Sequence, residues 1–146
     1  RVVGLSQPVA LVAAPSDRFI YVASYGSRAI AVFERDPTGV AAELFFAGDL
    51  LVGADASTGL GLQGLSGLVL SGDGSLLYTV SSLAGGGTVH VFRVDASTGA
   101  LAEQPALRRG NPAAGTGSAS WGMGGTRALH VGSDAVFVAG SSEQSV

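Results

Sequence analysis

The sequence predicts an all-β chain built from repeated four-stranded antiparallel units, and three observations carry that expectation. First, the chain repeats itself. Leu11–Ser24 aligns without a gap on Leu68–Ser81, Ala29–Phe33 matches Thr88–Phe92, and the turn Asp36–Gly39 matches Asp95–Gly99. A third copy begins at Leu129 and runs through Phe137. Second, the recurring segments are short runs rich in β-branched and aromatic residues, bounded by turn formers. Third, 47% of the residues are apolar, 13% are charged and 23 are glycine. That is too apolar for a disordered chain. The glycines lack the three-residue period of collagen, and all eight basic residues are Arg with Glu sparse, which excludes a coiled coil.

Each unit reads as four strands. In the first they are Val9–Ala14, Phe19–Ser24, Ala29–Glu34 and Val40–Ala47, separated by turns at Pro15–Asp17, Tyr25–Ser27 and Asp36–Gly39. In the second they are Ser66–Ser71, Leu76–Ser81, Thr88–Val94 and Ala100–Leu107, with turns at Gly72–Gly74, Ala84–Gly87 and Asp95–Gly99. Gly supplies positive φ in such turns, and Asp or Ser bonds its own backbone two residues on; Gly39 and Gly74 are the positions expected to need it. A helix over Val40–Leu51 is the alternative that Ala, Glu and Leu allow, but its counterpart at Ala100–Leu107 carries Pro105.

Four-stranded units at this period are the blades of a β-propeller, which need neighbours to bury their faces. A solenoid or a β-sandwich is the alternative, though a sandwich would leave the internal copies unexplained. The division expected is residues 1–7 as the tail of a preceding blade, 8–63 and 64–125 as blades with insert loops, and 126–146 as an incomplete blade. About two and a half blades make an incomplete ring, either a window cut from a longer protein or one protomer of a ring closed by association.

The run Ser-Gly-Asp-Gly-Ser-Leu-Leu-Tyr-Thr-Val-Ser, followed by Thr-Val-His-Val-Phe-Arg-Val-Asp-Ala-Ser-Thr-Gly-Ala-Leu (71–101), resembles the repeat of the lactonase-like, or phosphogluconolactonase-like, β-propellers. Residues 14–33 resemble it equally well. The resemblance implies blade type, because these residues are turns and strand cores, and family members close with about seven blades. Its enzymatic members carry an Arg-His … His-Pro-Asn-Gly stretch on the inner strand. At the nearest place here, Arg127 matches, but Ala128 stands where the first His is expected and Gly132-Ser133 replaces His-Pro. That departure speaks against lactone hydrolysis at this position.

Read without the resemblance, the chain offers few chemical groups. A net charge of −3 and one adjacent basic pair, Arg108-Arg109, give no nucleic-acid surface. No cysteine is present, which removes disulfides and thiol chemistry, and no apolar run reaches the length of a membrane helix. Gly59–Gly64 fits G-x-G-x-x-G but lacks the strand before and helix after that a dinucleotide needs. His90 and His130 lack the partners of a zinc site. Asp17, Asp36, Asp73, Asp95 and Asp134 sit in reversals that their side chains cap, and Glu34, Glu43 and Glu103 do not converge. No catalytic residue, metal or cofactor is therefore assigned.

Blade topology points elsewhere. Turns between second and third strands and blade-to-blade loops emerge at one end of a propeller, so Tyr25, Arg28, Asp49, Asp55, Arg108, Arg109, Asn111, Trp121 and Met123 are expected to share a contact face. The expected role is a non-enzymatic scaffold or binding module, with the remaining blades of the same protein or other protein chains as partners. The alternative is a lactone hydrolase or isomerase whose site lies partly outside this segment. Low charge without Lys or Cys suits an extracytoplasmic protein.

Overall fold

The strands form where β-branched and aromatic residues crowd between turn residues, and they end where Gly, Asp or Pro reverses the chain. The computed structural model describes residues 4–36, 44–50, 62–83, 86–108, 126–132 and 135–140. Ten strands follow in order: β1 (Pro8–Ala13), β2 (Phe19–Ser24), β3 (Ala29–Arg35), β4 (Leu44–Leu50), β5 (Leu65–Leu70), β6 (Leu76–Leu83), β7 (Gly86–Val94), β8 (Leu101–Arg108), β9 (Thr126–Val131) and β10 (Val136–Gly140). They make two four-stranded sheets, β1-β2-β3-β4 and β5-β6-β7-β8, and a two-stranded sheet of β9 and β10, antiparallel throughout. No helix occurs among the described residues.

Register bears out the repeat. Tyr21 lies opposite Val12, Tyr78 opposite Val69 and Phe137 opposite His130. Each inner hairpin closes with one backbone hydrogen bond in the same place: Ala14 N–H to Phe19 O, Ser71 N–H to Leu76 O, and Gly132 N–H to Ala135 O. Gly74 has φ of 72° as the turn chemistry requires, and so does Gly99 at the end of the Asp95 turn. Gly39, the counterpart of Gly99, lies outside the described residues.

Some strand ends differ from expectation. The fourth strand runs on to Leu50, so Asp49 pairs with Ala31 inside the sheet instead of standing on a connecting loop. Likewise Arg108 pairs with Thr88 at the end of β8, and Gly86 and Gly87 extend β7 opposite Leu83 and Ser82. In each case the partner strand offers unpaired backbone groups, which a ladder satisfies whatever the local propensity. The helix alternative is excluded over Leu44–Leu50; residues 40–43 are outside the described set.

The main core lies between the two four-stranded sheets. Tyr21, Ala23, Ile30 and Val32 of the first pack with Leu65, Leu70, Leu77 and Phe92 of the second. Tyr21 spans the interface, its hydroxyl donating to the Gly99 carbonyl at 3.2 Å. Burial and the charge of Asp95 push that phenol up to about 12, so it is a donor at every physiological pH. On the far side of the second sheet, Val80 and Val89 pack with Leu129 and Val138. The faces alternate as the pleat dictates.

Candidate functional site

The β2–β3 turn begins the expected contact face, and it is braced by backbone. Tyr25 N–H donates to Gln7 O at 2.8 Å, and the Gly26 and Ser27 amides both donate to Ser6 O. Ser6 N–H returns a bond to Ser27 Oγ at 2.8 Å. The turn is tight at Gly26, where a Cβ would lie 2.7 Å from Ser6 Oγ and 3.0 Å from the Ser6 carbonyl. Arg28 is held in the left-handed region, with φ of 53°, a conformation costly for a residue with a Cβ. Tyr25 and Arg28 consequently project from a turn fixed on both sides, and both are exposed.

The rest of that face divides. Asp49 and Arg108 lie in the strands β4 and β8. Asp55, Arg109, Asn111, Trp121 and Met123 lie outside the described residues.

A polar line that the sequence did not single out runs across the second sheet. The buried imidazole of His90 on β7 sits 3.3 Å through Nε2 from Ser81 Oγ on β6. On its other side, Nδ1 is 3.6 Å from Glu103 Oε1 on β8. Hydroxyl, imidazole and carboxylate are ordered as in an acyl-transfer triad. Ser81 and His90 are only 3% and 2% exposed, however, so no substrate reaches the hydroxyl in this arrangement. The line ties three strands of the second sheet together, from buried Ser81 and His90 to half-exposed Glu103. Its signal in the sequence was alternation, Thr79 and Ser81 around Val80 and Thr88 and His90 around Val89; which face a neighbour would cover was not legible there.

Of the turn carboxylates, Asp73 and Asp95 cap backbone as expected, while Asp134 lies outside the described residues. Asp73 accepts from the Ser71 hydroxyl at 2.6 Å, the Ser75 amide at 3.0 Å and the Ser75 hydroxyl. These donors hold its carboxyl at about 2, below the ordinary 3.8. Asp95 is lowered in the same way, first by the Ser97 hydroxyl and then by the Ser97 and Thr98 amides. A depressed folded pKa stabilises the fold above the ordinary value and loses that contribution as pH falls towards the folded one. Asp73→Asn is therefore expected to flatten the loss of stability between about pH 4 and pH 2. Carboxyl carbon shifts should place the Asp73 midpoint near 2; a midpoint at the ordinary value would overturn the capping role.

Elsewhere the acidic groups are dispersed. Glu34 pairs with Arg18 at 2.8 Å on the surface, and Glu43 lies outside the described set. No group of three or more His, Cys, Asp or Glu side chains gathers as a metal site among the described residues. His130 is exposed on β9, its ring 6.4 Å from that of Phe137.

No protein-family model matches the chain, and no curated protein matches it. Solved structures do. A candidate 6-phosphogluconolactonase from Bacteroides fragilis aligns with 91% of this chain and 32% of its own, at 19% identity and a TM-score of 0.65. A second, from Bacteroides uniformis, aligns with 91% of this chain and 36% of its own, at 19% identity and a TM-score of 0.62. A protein of unknown function from Desulfotomaculum acetoxidans aligns with 72% of this chain and 28% of its own, at 19% identity and a TM-score of 0.56. The chain thus spans about a third of the length of the structures it matches. At these identities the likeness is one of fold alone: the chain is an all-β array of four-stranded antiparallel propeller blades.

Proposed function

We propose that this chain supplies blades to a propeller that hydrolyses a sugar lactone. The observation that carries the reading is the alignment of 91% of the chain with two structures described as candidate 6-phosphogluconolactonases. It is support from fold, and folds host more than one chemistry. Lactone opening needs water delivered to an acyl carbon and a donor for the departing alkoxide. The substitutions at Ala128 and Gly132 weigh against the β9 stretch as the source of both groups, so the reading assigns them no catalytic role. The test is turnover of 6-phosphogluconolactone by the protein, followed by the rise in acid. Turnover above the uncatalysed rate is expected, and it should survive Arg127→Ala combined with His130→Ala. No turnover at all would overturn the reading.

One observation favours the second reading, a scaffold that binds through its blade-connecting end. Tyr25 and Arg28, an aromatic and a guanidinium suited to contact, stand exposed on a turn held rigid by Ser6 and Gln7. The same assay separates the two, since a scaffold leaves the lactone untouched.

A further inference from the structure

We propose that the turn carrying Arg28 holds the phosphoryl group of a phosphorylated sugar lactone, with the Arg28 guanidinium as its principal contact. The ligand follows from the lactone reading above; its place follows from the backbone. Three described residues other than glycine have positive φ: Gln7 at 53°, Asp17 at 55° and Arg28 at 53°. Asp17 is accounted for by its type, since a short polar side chain tolerates that region. Gln7 and Arg28 are not, and Gln7 also precedes Pro8, which favours extended backbone. Elsewhere the chain meets the same demand with glycine, at Gly4, Gly64, Gly74 and Gly99.

Both strained residues belong to one hydrogen-bonded pair of loops, residues 4–7 and 25–28. Gln7 O accepts the Tyr25 amide, and Ser6 O accepts those of Gly26 and Ser27. The Gln7 carboxamide lies by the turn, its Oε1 3.0 Å from where a Gly26 Cβ would stand. Strain that glycine would relieve is thus kept at two long polar side chains in one place. Such strain collects where side chains have a task that the fold alone does not set.

The chemistry of the two loops fits an anion. Arg28 is exposed and makes no ion pair with a described residue, whereas Arg18 is paired with Glu34. Gly4-Leu-Ser-Gln7 and Tyr25-Gly-Ser-Arg28 contain no carboxylate. Around the guanidinium they supply a phenol, a carboxamide and two hydroxyls. Ser27 Oγ accepts the Ser6 amide and so keeps its own proton to donate. The planar fork of Arg meets two oxygens of a phosphoryl group at once. A braced turn costs little further ordering when the ligand arrives. A carboxylate is the competing anion, and gluconate carries it without the phosphoryl group.

Titration of the chain with 6-phosphogluconate and, separately, with gluconate, followed by amide chemical shifts, tests this. Saturable shifts at Gln7 and at Tyr25 to Arg28 are expected with the first, and binding about tenfold weaker or more with the second. Arg28→Gly is expected to weaken 6-phosphogluconate by about tenfold or more without lowering the denaturant midpoint, because glycine is at ease in this backbone. Arg28→Lys, which keeps the charge but not the fork, should fall between. No shifts at these amides, equal binding of the two ligands, or unchanged affinity in Arg28→Gly each overturns the proposal. Turnover judges the lactone reading separately. A chain that hydrolyses no lactone yet binds 6-phosphogluconate through Arg28 loses the activity and keeps the phosphoryl site. One that hydrolyses 6-phosphogluconolactone with the same KM in Arg28→Gly keeps the activity and loses the site.

Discussion

Gly99→Val is expected to destabilise the chain by about 3–5 kcal/mol, the sum of left-handed strain and overpacking. Gly99 ends the Asp95 turn with φ of 72°, where a β-branched residue is strained. Space is closed as well: a Cβ would stand 2.6 Å from Phe19 Cδ1, 2.8 Å from Cγ and 2.9 Å from Cε1. Phe19 is 2% exposed, so its ring has little room to retreat. The carbonyl of Gly99 also accepts the Tyr21 hydroxyl, and a displaced turn would leave that buried phenol unpaired. Because the clash is with Cβ itself, Gly99→Ala should retain most of the loss. Denaturant midpoints at unchanged m-value measure it. A loss below about 1 kcal/mol would mean that the turn relaxes away from Phe19.

Phe92→Ala is expected to cost a similar amount, about 3–5 kcal/mol, for a different reason. The ring is fully buried in the cluster shared by Tyr21, Ile30 and Leu77, and it touches both blades. Truncation opens a cavity in a place where sheets pinned by their ladders cannot close in. Phe45→Ala supplies the contrast: that ring is 53% exposed on β4, and about 1 kcal/mol or less is expected. Equal losses at the two positions would contradict the burial that defines the interface.

What the sequence revealed and what it withheld follow from the range of the forces involved. Turns were legible because Asp73, Gly74, Asp95 and Gly99 meet demands set within four or five residues. Strand cores were legible through their composition. The far ends of β4 and β8 were not, because Leu50 and Arg108 are extended by pairing with Ile30 and Thr88 on another strand. Burial of His90 was hidden for a related reason. Alternation shows that a strand has two sides, but not which of them is dry. The contact face was read from topology, which places loops at an end without specifying where a ladder stops; Asp49 fell on the wrong side of that line.

The bond from the Tyr21 hydroxyl to the Gly99 carbonyl joins residues 78 positions apart. It has a consequence for how this array comes apart. In a linear array of units, stability is the sum of each unit's own folding free energy and the coupling to its neighbour. A weak coupling lets units fray one at a time. Here the turn of the second blade is keyed to the ring of Phe19 and the phenol of Tyr21 in the first, so loosening either uncovers the other. The first two blades therefore behave as one cooperative unit, and amides of β2 draw their protection from hydrogen exchange partly from a turn that follows them by more than half the chain.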